Sequence, residues 1–557
     1  MEPVPRLRTL GYLALGALPF CYLHIPGLPP FIRSLAWLLA GVFFGAARLL
    51  APQAPSAGPH PGRWLLGLLA WQLLPVPASP PAFRWAALWP VLHGAAALAV
   101  AAGIAGDPAR RRGLALSLSG GWLALLLFAF NILSGGLAEA WTPEDRLQGS
   151  PIDHLPFGNR NTAALLVSSL VPPALAAAWT GWRDHRPLQG GAGFLAFALL
   201  AWLLARTNAL GALIGLVLGG ALTLGLFPRV RALPLLFLGA LGATLILGAA
   251  LARSHVPAWR YTSSFGLRTL VWESAAGGWS RAPWAGLGTG SFALRFPEFR
   301  AERYPFSQYA APRALHAYNL PLQTLCENGL VGLLLLAASL ASLLEAFRRS
   351  RAGPWRLAAV WICLALLVQA LGGDALIEPL GLACFAAAAG AALPEGVPGP
   401  PGPVRPGRRL LAASVTVAAL LLAASQARQM TAFATGHRLK TEGKARYRAG
   451  DEAGARDAWT RAETAYRGAA QAIVPSLLAL DARFEQAVCL MSLGLPVEAL
   501  SAYRSLLDRG GTYGNAGREA ARAAHLAGDT PQAIRLLRKP LDVYPCDVAG
   551  YRLLLPL

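Results

Sequence analysis

The sequence predicts an all-α fold: a polytopic transmembrane helical bundle of about 12–13 spans with a long external loop, then a small C-terminal α-helical repeat domain. Three observations carry that expectation. Of 557 residues, 55% are hydrophobic and only 14% charged, whereas soluble domains carry about 25% charged residues. Apolar runs close to the length a bilayer requires recur along the first three quarters of the chain. Beyond residue 427 the leucine runs give way to alanine-rich amphipathic segments, with 18 Lys/Arg and 13 Asp/Glu over 428–557.

Taken in order, the candidate spans lie near 7–25, 31–51, 64–76, 84–105, 113–133, 158–179, 190–206, 208–227, 232–252, 319–346, 354–373, 375–393 and 409–426. The first lacks a small-residue cleavage site before the next span, so it reads as an anchor. The third ends in Pro75-Val76-Pro77 and is short enough to be re-entrant. The net charge of +21 is almost all arginine, since the only lysines are Lys440, Lys444 and Lys539. In a soluble protein such an excess would suggest nucleic acid. Among membrane spans it fits orientation, or an anionic lipid-linked substrate, and no nucleic-acid partner is expected.

Arginine placement sets the orientation. With a cytoplasmic N terminus, eighteen arginines (Arg6, Arg8, Arg48, Arg63, Arg110–Arg112, Arg183, Arg186, Arg229, Arg231, Arg348, Arg349, Arg351, Arg356, Arg405, Arg408 and Arg409) fall on inner connections. Five fall on the short outer ones: Arg33, Arg84, Arg146, Arg160 and Arg206. The expected address is a bacterial cytoplasmic (inner) membrane, with the active face periplasmic. An odd number of spans then puts the tail on that side too.

Two outer segments exceed a simple turn, 134–156 and the 253–318 loop. The stretch 253–315 holds eight arginines, three glutamates and the aromatics Trp259, Tyr261, Phe265, Trp272, Trp279 and Trp284. A loop this long is functional or disordered, and its aromatic content argues for order. A Pro/Gly linker over 394–408, expected in the cytoplasm, leads to the last span. The expected domains are therefore 1–427 and 428–557. Within the second, Gly450-Asp451-x3-Ala455, Gly494-x4-Ala499 and Gly528-Asp529-x3-Ala533 share a pattern, with Trp459, Tyr503 and Leu537 nine residues past each glycine. The last two glycines are 34 residues apart, which resembles tetratricopeptide repeats; a generic bundle of amphipathic hairpins is the alternative. Cys21, Cys326, Cys363 and Cys384 sit in apolar runs, whereas Cys489 and Cys546 lie in the tail and could pair outside the cytoplasm.

The chain has no P-loop, GxSxG, HExxH, Rossmann fingerprint or carboxylate cluster with metal spacing. No metal or other cofactor is expected. What remains is polar residues at outer membrane edges, where ionisable groups are costly unless they face a cavity or ligand. The sharpest run is His316-Ala-Tyr-Asn-Leu-Pro-Leu-Gln-Thr-Leu-Cys-Glu-Asn-Gly-Leu-Val-Gly332. On a helix beginning near Asn319, Gln323 and Glu327 share a face at i, i+4. His316 precedes it, where an imidazole could accept a proton near neutral pH. The bland reading makes His316 a solvated loop histidine and Glu327 a packed polar contact.

This run resembles the signature of the O-antigen ligase and O-antigen polymerase family, in which His316, Asn319, Gln323 and the Glu327-x-Gly329-x-x-Gly332 run would open a late span. Arg268-Thr-Leu-Val-Trp272 followed by Ala282-Pro-Trp-Ala-Gly-Leu-Gly-Thr-Gly-Ser-Phe292 is similar to the family's loop pattern. Gly158-Asn159-Arg160-Asn161 resembles its earlier Gly/Asn motif. Arg206-Thr207-Asn208 stands where relatives carry a Ser-Arg pair, with Ala205 replacing the serine. The resemblance covers most of 110–395.

It implies a membrane glycosyltransferase that moves a glycan from an undecaprenyl-pyrophosphate donor to an acceptor hydroxyl without a metal. Guanidinium groups bind pyrophosphate oxygens bidentately and keep their charge. Arg206 and Arg268 would form that clamp, with Arg160 and Arg313 as secondary candidates. By the same resemblance His316 would be the general base, while Asn319, Gln323, Glu327, Gly329 and Gly332 would be motif or structural positions. The acceptor could be a glycan, a lipid or a protein. Ligase-like transfer is the first expectation and polysaccharide or O-antigen polymerisation the second. A non-catalytic glycan-assembly scaffold, recruiting a protein partner through the C-terminal repeats, is the third.

Overall fold

The computed structural model describes residues 3–22, 32–50, 62–74, 81–105, 107, 109–134, 160–207, 209–227, 259–301, 314, 316–349, 353–393, 406–471, 477–510 and 516–543. Every regular element among them is helical. The chain is an all-α helical bundle, as its composition predicts.

The membrane part begins with α1 (Pro3–Ala17), α2 (Ile32–Leu50), α3 (Gly62–Leu73), α4 (Pro81–Ala105) and α5 (Arg110–Ser134). It continues with α6 (Arg160–Arg183), α7 (Pro187–Thr207) and α8 (Leu210–Leu226). The 253–318 loop contributes α9 (Trp259–Ser280) and α10 (Phe292–Phe299), followed by α11 (Leu320–Arg348), α12 (Pro354–Ala370), α13 (Pro379–Ala392) and α14 (Pro406–Arg448). Twelve of the thirteen expected spans correspond to one of these helices. The thirteenth, 232–252, lies outside the described residues.

Three described helices are long and apolar enough to cross a membrane, at Asn161–Arg183, Pro187–Leu204 and Leu320–Arg348, and five shorter apolar helices accompany them. Their burial differs in an informative way. α6 is almost wholly enclosed, packing on α7, α8, α12 and α13, whereas α7 and α11 leave most of their apolar surface outward. Outward leucines such as Leu188, Leu195 and Leu334 are what a helix facing lipid requires.

Small residues set the close crossings, as expected where lipid removes the hydrophobic drive between helices. A Cβ at Gly219 would lie 2.5 Å from the Ala365 nitrogen, so α8 and α12 touch backbone to backbone. The Trp361 indole donates to the Leu216 carbonyl at 2.6 Å, and Gln369 Nε2 donates to Ser168 Oγ at 3.3 Å. At the arginine-rich ends, Arg8 pairs with buried Asp107 at 3.0 Å while Tyr12 donates to the same carboxylate. Arg110 and Arg356 both donate to the Leu393 carbonyl.

Helix α14 runs unbroken through residues 427 and 428, joining the bundle to the tail. There it pairs with α15 (Glu452–Ala470), followed by α16 (Leu477–Ser492), α17 (Pro496–Gly510), α18 (Ala516–Leu526) and α19 (Thr530–Val543), each packed on the next. Gly450, Gly494 and Gly528 occupy the turns of three hairpins with φ of 82°, 78° and 84°, a conformation that favours glycine. Ala455, Ala499 and Ala533 are fully buried at the crossings. In the first hairpin, Gly436 receives the Tyr466 ring and Gly443 receives Trp459, an antiparallel match of seven-residue spacings. Cys489 is a free thiol within this core, and burial pushes it up to about 12. Cys546 lies outside the described residues.

Candidate functional site: a broken helix and the loop that mends it

Helix α11 starts cleanly. Asn319 is its N-cap, with the side-chain oxygen accepting from the Leu322 N–H at 2.9 Å. Pro321 stands in the first turn, where a missing N–H costs nothing. At its tenth residue the helix breaks: Gly329 has φ 65° and ψ −168°. In an unbroken helix the N–H groups of Leu330 and Val331 would bond the carbonyls of Cys326 and Glu327. At the break all four groups need other partners, because buried backbone polar groups cannot go unpaired.

The glycine-rich loop supplies them. Leu287 and Gly288 donate to the Cys326 and Glu327 carbonyls, each at 2.9 Å. The Leu330 and Val331 N–H groups donate to the Pro283 and Trp284 carbonyls at 2.9 and 3.4 Å. The approach is too close for a side chain on either partner. A Cβ at Gly286 would lie 2.3 Å from the Glu327 carbonyl carbon, and one at Gly329 would lie 2.2 Å from the Trp284 oxygen. Gly332 makes room in turn, since its Cβ would meet that of Asn328 at 2.3 Å. The two glycine motifs are therefore halves of one backbone interlock.

Glu327 secures it. This buried carboxylate accepts from the Phe292 N–H at 3.1 Å, from Gln323 Nε2 at 2.9 Å and from the Gly290 N–H. Gly290, at φ 72°, lies in the glycine-rich turn, so the group held by that turn is the chain's own Glu327 carboxyl. The i, i+4 pairing of Gln323 with Glu327 expected from spacing is present. Asn328 extends the junction: its carbonyl accepts from the Trp71 indole at 3.0 Å and its Oδ1 from Thr289 at 2.7 Å. Thus α3, only twelve residues long, is fastened at the break. Phe292, Phe296 and Phe299 of α10 pack with Val271, Ala275 and Cys326 beneath the loop.

The segment before α11 is held as firmly. Ala317 N–H donates to Gln323 Oε1 at 2.7 Å, and Asn319 Nδ2 donates to the Leu371 carbonyl at 2.8 Å. Arg268, on α9, donates to the adjacent Gly372 carbonyl at 2.6 Å and lies over the Tyr318 ring, 5.7 Å from its centre. Tyr318 has φ 51°, which for a bulky residue costs about 1–3 kcal/mol and persists only where surroundings enforce it. Among the described residues Arg268 has no carboxylate partner. His316 is not a solvated loop histidine: burial lowers its pKa, and the Asp374 carboxylate opposes that shift. Burial raises the Tyr318 pKa, as does Asp374, while Arg268 lowers it.

The structure thus gathers Arg268, His316, Asn319, Gln323, Glu327, Gly329 and Gly332. Arg206 falls on the last turn of α7 and Arg160 opens α6, but their side chains, and the whole of Arg313, lie outside the described residues. Sequence reasoning missed Asp374 and Tyr318. The signal for Asp374 was present, an acid beside Gly372-Gly373 in a short connection at a membrane edge, where a charge needs a reason. Among the described residues no three His, Cys, Asp or Glu cluster as metal ligands.

No curated protein matches the chain. Residues 191–337 match the family model described as O-antigen ligase, a segment that runs from α7 through the interlock and holds Arg206, Arg268 and His316. With its apolar helices, the chain is a multi-pass membrane protein whose residues 191–337 are similar to the O-antigen ligase family.

Proposed function

We propose that the protein transfers a glycan from an undecaprenyl-pyrophosphate donor to an acceptor hydroxyl on the periplasmic side of the inner membrane, as an O-antigen ligase-like enzyme. The observation that carries this reading is that one turn, 371–374, is met both by a guanidinium with no carboxylate partner among the described residues, Arg268, bonded to the Gly372 carbonyl, and by a mostly buried imidazole, His316, within the influence of Asp374. A pyrophosphate needs the first and an acceptor hydroxyl needs the second.

In the proposed reaction His316 takes the hydroxyl proton while the acceptor oxygen attacks the anomeric carbon of the donor sugar. The bond from that carbon to the pyrophosphate oxygen breaks, and its electron pair leaves with the pyrophosphate. Arg268, helped by Arg206, meets the charge that develops there, and Arg160 and Arg313 stand as outer contributors. Asp374 stabilises the imidazolium formed at His316. The tail hairpins, resembling tetratricopeptide repeats, serve as a docking surface for a protein partner on the same side.

The test is transfer of a lipid-linked glycan by membranes carrying wild type, His316→Ala or Arg268→Ala. Each variant should reach the membrane and lose roughly 10²–10⁴-fold in rate. Full transfer by either would end the reading. Products bearing a ladder of repeat units on the lipid carrier, and none on a separate acceptor, would favour a polymerase instead.

A further inference from the structure

We propose that Tyr318 is a positioning residue for Arg268: a left-handed backbone at Tyr318 turns its ring beneath the guanidinium and fixes the direction in which that charge is presented. The inference rests on the reading that Arg268 receives the donor pyrophosphate, and it deepens that reading by saying how that arginine is aimed.

Three observations meet here. Among the described residues the guanidinium has one hydrogen-bond acceptor, the Gly372 carbonyl at 2.6 Å, which ties down a single Nη1 corner. One anchored corner leaves the plane free to rotate; a ring 5.7 Å from Cζ removes that freedom through cation–π contact. The ring also leaves the remaining N–H groups uncommitted, which a carboxylate partner would not, because a carboxylate would take the same bidentate edge that a phosphate needs. Finally, Tyr318 pays for this place with its backbone. Its φ of 51° is one that asparagine or glycine adopts far more readily than tyrosine. On one side Ala317 is bonded to Gln323, and on the other Asn319 caps α11 and bonds Leu371. These neighbours hold the backbone; the aromatic side chain is what the position adds.

The backbone and the ring can be separated. Tyr318→Asn suits the left-handed conformation and deletes the ring, whereas Tyr318→Phe keeps the ring and deletes the hydroxyl. Binding of undecaprenyl pyrophosphate in mixed micelles to the purified full chain would be measured for both, with Arg268→Ala, Arg268→Lys and wild type alongside and thermal melting as the check on folding. Tyr318→Asn should melt at or above the wild-type temperature yet bind at least tenfold more weakly, and Tyr318→Phe should bind within threefold of wild type. A Tyr318→Asn protein that binds as wild type does, while Arg268→Ala does not, overturns this inference alone. So does a Tyr318→Phe protein as weak as Tyr318→Asn, since the hydroxyl would then be the working group. Wild type that fails to bind the pyrophosphate lipid, or binds it equally without Arg268, overturns the donor reading and this inference with it.

Discussion

A methyl group at Gly329 would sit 2.2 Å from the Trp284 carbonyl oxygen and would also demand a φ of 65° from an L-residue. Neither conflict can relax into a side chain, because both partners are backbone. Gly329→Ala should therefore cost about 2–5 kcal/mol, read as a lowered melting temperature in detergent, and should abolish transfer. Melting at the wild-type temperature would show that the break is not needed. Charge tells a different story at His316. Burial lowers its pKa from 6.5, and the base must be neutral to act, so the acid limb of kcat/KM should lie below that value. Asp374 raises the His316 pKa; removing its charge must lower it further. Asp374→Asn should thus move the limb to still lower pH while slowing transfer, because the imidazolium loses its counter-ion. A limb that shifts upward, or stays put, would remove Asp374 from the site.

Helix by helix, periodic features were legible in the sequence and exchanged partners were not. The apolar runs located α1 to α8 and α11 to α14 because a membrane span announces itself by length and hydropathy alone. Gln323 and Glu327 were legible because four residues is a helical neighbour distance. The interruption at Gly329 was hidden, since glycine is common within membrane helices and the loop that replaces the lost bonds lies some forty residues earlier in the chain. The cation–π contact and the Asp374 turn were hidden for the same reason: each joins segments far apart in sequence. In the tail, the hairpin glycines were visible by spacing, and their roles now divide. A Cβ at Gly450 meets open space, so Gly450→Ala carries only the left-handed penalty of about 1–2 kcal/mol. At Gly443 a Cβ would meet the Trp459 ring at 2.5 Å, so Gly443→Ala must also displace an indole and should destabilise the first hairpin more. Hydrogen exchange of α14 and α15 in the full chain would rank the two, and the reverse order would deny that Gly443 is a notch for Trp459.

For the molecule as a whole, the question is which face each part occupies. Eighteen arginines against five argue that the turn between α6 and α7 is cytoplasmic. Seven expected spans separate that turn from the tail, so an odd number of crossings should bring the tail to the opposite side. Single cysteines at His185, exposed in that turn, and at Thr464, exposed on α15, make this measurable. Cys326, Cys363 and Cys489 give little background, being buried, with the Cys489 thiol held protonated at neutral pH, and Cys21, Cys384 and Cys546 are replaced by serine in both variants. In intact cells an impermeant maleimide should label the cysteine of Thr464→Cys, while that of His185→Cys should react only after the inner membrane is opened. Labelling of both from outside would reverse the arginine argument itself. Protection of both would leave the bundle as oriented but require one of the seven segments not to cross. If that segment is one of the four after the 253–318 loop, the hairpins would lie on the far side of the membrane from His316, where they could bind a cytoplasmic partner but could not dock anything beside the proposed transfer site.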